Sequence, residues 1–233
     1  MTTTTTTDEL TAEPTRGFSA ALKAATWSDH RSAESSPFMD ALMAGSIDRI
    51  GYAVMLAQHL HAYRVLEGAA EVMRHDPVAA PFIDDALTRV PSLERDLSVL
   101  VGEERAGSIG PTPDTEAYCE RLSSVCTSWP GGFVAHHYTR YLGDLSGGQF
   151  IGRIVQRTLD IDASSGAGFF DFPGVIDPVA FKAGYRERLD AAPWDGHERG
   201  RIIDEVRAAY RLNTRVFASL DPTPTSIPAS TTA

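Results

Sequence analysis

One stretch constrains this chain more than any other. An apolar-periodic run from roughly Phe133 to Leu159 carries Gly143, Gly147 and Gly148 in its middle. Its periodicity predicts one helix. Each glycine costs about 0.5–1 kcal/mol relative to alanine in a helix interior, so together they set the helix back by on the order of 2–3 kcal/mol. Such a cost needs a local reason. Bare backbone lets a ligand approach closely, or lets the helix kink; tight helix–helix packing is the bland alternative. His136, His137, Arg140, Asp144 and Arg153 in the same run rule out an apolar membrane span, and with it a lipid-embedded Gly-x-x-x-Gly face.

Composition narrows the class. At 233 residues and 42% hydrophobic, the chain is long enough for one domain with a substantial core. A formal charge of −10 without a basic block argues against nucleic acid as a partner. Met1 to Asp8 lacks the charged and apolar regions of a signal peptide. No run of about 18 apolar residues could span a membrane. Cys119 and Cys126 are seven apart on a predicted helix, about 10 Å along its axis, too far for an intrahelical disulfide. A reduced, cytoplasmic protein with ordinary buried cysteines is the expectation.

Taken in order, residues 1–15 are a Thr-rich tail expected to be disordered. A helix is predicted from Gly17 to about Glu34, with Phe18, Leu22, Ala25 and Ala33 as its core stripe. Lys23, Trp27, His30 and Glu34 fall together on another flank at i, i+4, i+7 and i+11. A neutral His ligand needs an acceptor to orient it, and Glu34 lies one turn from His30. A short helix from Phe38 to about Met43 leads to a long one from about Ile47 to Arg74, with Ser46 as candidate cap. His59 and His61 face different directions there, so both read as structural. No Glu-x-x-His occurs, which excludes a ferritin-like di-iron bundle. Further helices are expected from about Ala80 to Glu104 and from Thr115 to Ser128. The segment from Ile161 to Pro178 is irregular, with Phe169, Phe170 and Phe172 pinning it to the body. Helices then follow from Val179 to Leu189 and from about Glu198 to Leu220. Residues 221–233 form a polar tail. Absent any sustained period-two pattern, the prediction is an all-α single domain over 16–220.

A flat dianionic ligand with a central metal would use what this pattern gathers. His30 faces the metal, bare backbone at the glycines takes the other side, and Lys23, Lys182 and Arg186 meet rim carboxylates. Tyr63, Tyr138 and Thr139 supply hydroxyls. The string His136-His-Tyr-Thr-Arg-Tyr-Leu-Gly-Asp-Leu-Ser-Gly-Gly-Gln149 resembles the haem oxygenase family, soluble bacterial type. Asp29-His-Arg-Ser-Ala-Glu34 is similar to the family's proximal segment, and Phe181-Lys-Ala-Gly-Tyr-Arg186 to its propionate-binding one. The resemblance spans about Ala20 to Leu220. Membrane-anchored members end in an apolar tail, whereas these residues end in a polar one.

The resemblance implies a haem-oxygenase-like bundle with haem b, substrate and cofactor at once, sandwiched between a proximal and a distal helix. It implies His30 as the iron ligand, with Glu34 on its other ring nitrogen. Gly143 and Gly147, with Gly148 beside them, let the distal backbone lie on the haem. Asp144 would anchor a water network with Tyr63, Arg140, Thr139 and Asn213. Arg140, one turn before Asp144, is its natural partner, with waters between them. Lys23, Tyr138, Lys182 and Arg186 would hold the propionates. The implied reaction opens haem at a meso carbon to biliverdin, CO and ferrous iron. It uses O2 and an electron donor, a ferredoxin or flavoprotein reductase, in iron acquisition or haem turnover. A haem carrier would need the His and the cations but not the Asp144 network. A thiaminase-type enzyme would need a cysteine in the pocket, and both cysteines lie outside this constellation.

Overall fold

The computed structural model describes residues 17–33 and 36–223. The expected tail 1–15, most of the tail 221–233 and Glu34 lie outside the described residues. All regular structure among them is helical, with no strand.

The predicted first helix is two. α1, Phe18–Ala25, ends at Thr26, whose side chain donates to the Leu22 carbonyl at 2.9 Å. α2, Trp27–Ala33, starts directly after it. A Thr hydroxyl that bonds its own helix backbone competes with helix propagation. α3, Pro37–Ala44, has Ser36 as N-cap and Gly45 in the left-handed region, φ 72°, as C-cap. α4, Arg49–Met73, is capped by Asp48, which accepts from the Gly51 N–H at 2.7 Å; Ser46 is not its cap.

The predicted helix from Ala80 to Glu104 is broken. Short 3-10 turns, Ala80–Phe82 and Asp85–Leu87, come first. Only then comes α5, Val90–Val101, with Pro91 in its first turn. Proline pre-sets the start of a helix but cannot sit inside one. α5 has no cap of its own. Glu67 of α4 accepts from the Arg89 and Val90 N–H groups instead, at 2.6 and 3.2 Å. α6, Glu103–Ser108, and α7, Pro113–Cys126, follow.

The distal helix begins as α8, Pro130–His137, and ends as α9, Gln149–Leu159. Between them run two π-helical stretches, Tyr138–Leu142 and Asp144–Gly148. The interruption expected at the glycines is therefore a widening of the helix. Such stretches are rare and concentrate at functional sites. α10, Pro178–Ala191, and α11, Gly196–Ala218, close the bundle.

α4 packs on α5, α7 and α8, and α11 packs on α8, α7 and α2. Tyr52, Leu56, Tyr63 and Leu66 of α4 are buried with Tyr118, Phe133 and Tyr185. Burying each large apolar side chain contributes roughly 1.5–3 kcal/mol. Phe169, Phe170 and Phe172 are buried as expected, and Gln149 holds the Phe170 carbonyl at 2.8 Å. Cys126 is buried; Cys119 is only partly so, and neither forms a disulfide.

Candidate active site

A cleft of about 840 Å³, part of it open to solvent, lies between α2 and the widened distal helix. Met39, Leu42, Met55, Ile151, Phe170 and Phe217 make it apolar. α2 contributes His30. Its imidazole stacks on Trp27 at 5.8 Å and 7°, and meets the edge of Tyr210 at 5.5 Å. Two aromatic neighbours on different helices fix the plane of the ring. The expected Glu34 partner lies outside the described residues.

The distal helix contributes no side chain at Gly143, Gly147 and Gly148, all of which line the cleft. A Cβ added at Gly143 or Gly147 would meet nothing within 4 Å. Gly152, one turn further, is different: its Cβ would sit 2.7 Å from Phe170 Cβ. Gly152 serves packing, whereas Gly143 and Gly147 border open space.

An adjoining hollow of about 710 Å³ is lined by Lys23, Trp27, His30, Tyr138, Gly143 and Arg186, among others. Two cations and a phenol thus gather at one end of the cleft. Lys182 does not line it. Its ammonium donates to the Leu145 carbonyl and to Ser146 Oγ, both at 2.9 Å. Lys182 thus ties α10 to the second π-helical stretch.

Asp144, Tyr63, Arg140, Thr139 and Asn213 come together on the distal side. The Tyr63 hydroxyl donates to Asp144 Oδ2. Burial pushes the Asp144 carboxyl up to about 6, against that hydrogen bond and the charges of Arg140 and Arg89. No direct hydrogen bond joins Arg140 to Asp144 among the described residues. Arg140 Nη1 instead donates to His59 Nδ1 at 3.1 Å, and the guanidinium packs over the rings of Tyr63 and Tyr118. Thr139 Oγ1 donates back to the Ala135 carbonyl at 2.8 Å. Asn213 Oδ1 is buried and accepts no hydrogen bond from a described residue. Thr139 and Asn213 line the cleft.

Sequence reasoning missed several participants. His59, taken as structural, lines the cleft. Arg89 donates to the Phe169 carbonyl and adds its charge to Asp144. Tyr210, 180 residues from His30, packs on its ring. No local pattern links such distant positions. His136 does not line the cleft; its Nε2 donates to Glu205 Oε1 at 2.9 Å.

No group of three His, Cys, Asp or Glu side chains among the described residues could hold a bare metal ion. A lone His suits a metal that arrives inside a macrocycle. The open space over Gly143 and Gly147, the apolar walls and the cationic end fit haem: flat, apolar at its centre, anionic at one edge.

The comparisons agree. Residues 16–219 match the family model described as "Heme oxygenase". Heme oxygenase 1 of Homo sapiens is 38% identical over 204 residues, covering 87% of this chain and 71% of that protein. The heme oxygenase of Leptospira interrogans superposes with a TM-score of 0.83 at 30% identity, over 88% of this chain and 100% of that one. Heme oxygenase-2 from Synechocystis, solved with heme and NO, gives 0.82 at 31% identity, over 87% and 84%. With the family model covering most of its length, the chain belongs to the haem oxygenase family, whose function is the degradation of haem to biliverdin.

Proposed function

We propose that this chain binds haem with His30 as the only protein ligand to iron and opens it through the Asp144 network. The observation that carries the reading is the pairing of an aromatic-fixed imidazole with side-chain-free backbone in the same cleft. Haem, as substrate, brings the iron at which O2 is activated and the meso carbon that is oxidised, giving biliverdin, CO and ferrous iron. His30 holds the iron through one ring nitrogen, and Glu34 is proposed to hold the other. Gly143, Gly147 and Gly148 admit the ring face and, by crowding it, restrict the space beside it to one side. Lys23, Arg186 and Tyr138 hold the propionates and fix the in-plane rotation; Lys182 supports the distal wall beside them.

Asp144 holds a proton with its carboxyl near neutrality and passes it on through water. Tyr63 orients the carboxylate, and Arg140, Thr139 and Asn213 supply further polar positions along the cleft. A proton donor acting through water supplies protons without placing an acid against the oxygen. The electron donor is proposed to be a ferredoxin or a flavoprotein reductase, and the compartment the cytoplasm. No helix among the described residues is long and apolar enough to cross a membrane.

The test is haem titration followed by reductant under air. The expected outcome is loss of the Soret band with biliverdin formed in step with haem consumed. Haem that stays bound and intact through repeated reduction would make the chain a carrier instead.

A further inference from the structure

The distal side holds an imidazole that the mechanism above does not use. His59 is 7% exposed and lines the cleft from α4. Its ring stacks on Phe169 at 5.2 Å and 19°, and meets the edge of Phe217 at 5.6 Å. Its one polar contact to a named partner is Arg140 Nη1, at 3.1 Å from Nδ1. A guanidinium nitrogen only donates, so Nδ1 must accept and the ring carries its proton on Nε2. A protonated imidazolium would place two cations in contact. Burial, and then the Arg140 charge, accordingly hold His59 well below the usual histidine range.

Arg140 precedes Asp144 by four positions, and opposite charges at that spacing on a helix face normally pair. Here they do not. The guanidinium packs over Tyr63 and Tyr118, with one N–H given to His59. Asp144 is left to the Tyr63 hydroxyl. We infer that His59 is a positioning residue: by accepting from Arg140 on Nδ1 it holds the guanidinium off Asp144 and keeps that carboxyl free to exchange protons. The inference rests on the proposed role of Asp144 as a proton source. A carboxylate locked by arginine in a bidentate pair would be held ionised.

The groups that face Asp144 are Tyr63, Arg140, Arg89 and the phenol of Tyr141. Among them, Arg140 is the one that His59 restrains. The test follows the carboxyl carbon of Asp144 by NMR as pH is varied, in the haem-free protein, with the signal assigned by its loss in Asp144→Asn. In His59→Leu the apolar side chain fills the space against Phe169 and Phe217, and Arg140 is released. The Asp144 midpoint should fall by at least one pH unit, a tenfold change in proton affinity. His59→Asn places an amide oxygen close to where Nδ1 lies, so it should retain the wild-type midpoint. In the haem-loaded protein, His59→Leu should lower the rate of biliverdin formation with haem affinity unchanged, and His59→Asn should restore it. An unmoved midpoint in His59→Leu overturns the inference, as does a leucine-like shift in His59→Asn. Full turnover by Asp144→Asn would instead remove the proton-source reading, while the NMR midpoints would still decide what His59 does to Arg140.

Discussion

The two walls of the cleft are built on opposite principles. The proximal wall offers a side chain: His30, held by Trp27 and Tyr210 from two helices. The distal wall offers absence: glycines whose missing Cβ atoms leave open space, in a helix widened by two π-helical stretches. The proximal wall lies on a seven-residue helix with little intrinsic stability of its own, and packing on α11 holds it. The distal wall runs through the core and gives up helix propensity for shape. Precision in the first comes from neighbours, and in the second from what is left out.

The largest expected effect separates the walls outright. His30→Ala removes the only side chain proposed to reach iron, so biliverdin formation should be lost. The ferric spectrum should change, and added imidazole should restore it. A mutant spectrum identical to wild type would remove His30 from the metal. Next comes the distal wall. Gly143→Leu should weaken haem binding by on the order of 100-fold or more, because leucine fills the space the ring needs, yet leave thermal stability unchanged or slightly raised. Gly152→Val should do the reverse, lowering stability by about 1–3 kcal/mol through overlap with Phe170. Equal behaviour of the two variants in a haem titration and a melting curve would break the distinction between glycines for ligand and glycines for packing.

Asp144 sharpens the contrast through pH. Its folded value of about 6 lies above the ordinary 3.8. Between roughly pH 4 and pH 6 the unfolded chain therefore binds fewer protons than the folded one. Stability contributed by the neutral carboxyl is full below that window and is lost as pH rises through 6. Asp144→Asn cannot ionise. The haem-free variant should therefore gain on the order of 1–3 kcal/mol over wild type above pH 6, and little below pH 4. Urea unfolding at pH 4 and 7.5 measures it; parallel wild-type and variant curves would refute the raised carboxyl. The smallest effect belongs to the cationic end. Arg186→Ala should leave haem bound, since Lys23 and Tyr138 remain, but should yield a mixture of biliverdin isomers by chromatography. A single isomer would show that ring rotation is fixed elsewhere.

Much of this was legible in the sequence, and for an identifiable reason. His30, Gly143, Asp144 and Gly147 sit in contiguous strings that carry the family resemblance, and the fold brings all four to one cleft. The all-α class followed from periodicity. What could not be read was pairing across the fold. Arg140 and His59 are 81 positions apart, so sequence logic gave Arg140 to its near neighbour Asp144. Lys182 and Arg186 share a helix face by spacing, yet one turns to the Leu145 carbonyl and the other to the hollow. The break at Thr26 and the 3-10 turns before Val90 were missed because single Thr and Pro residues, within apolar periodicity, decide them.

Lysine is nearly absent from this chain: Lys23 and Lys182 are its only two, against nineteen arginines. Lys23 lines the cationic hollow, and Lys182 is anchored at Leu145 and Ser146 beside it. Every side-chain amine the protein owns therefore lies at the mouth of one cleft. Acylation of lysine side chains becomes a chemical footprint of occupancy, read by mass as two possible additions. Modification at Lys23 reports whether the mouth is open. Modification at Lys182 requires its two hydrogen bonds to the widened distal turn to be released first.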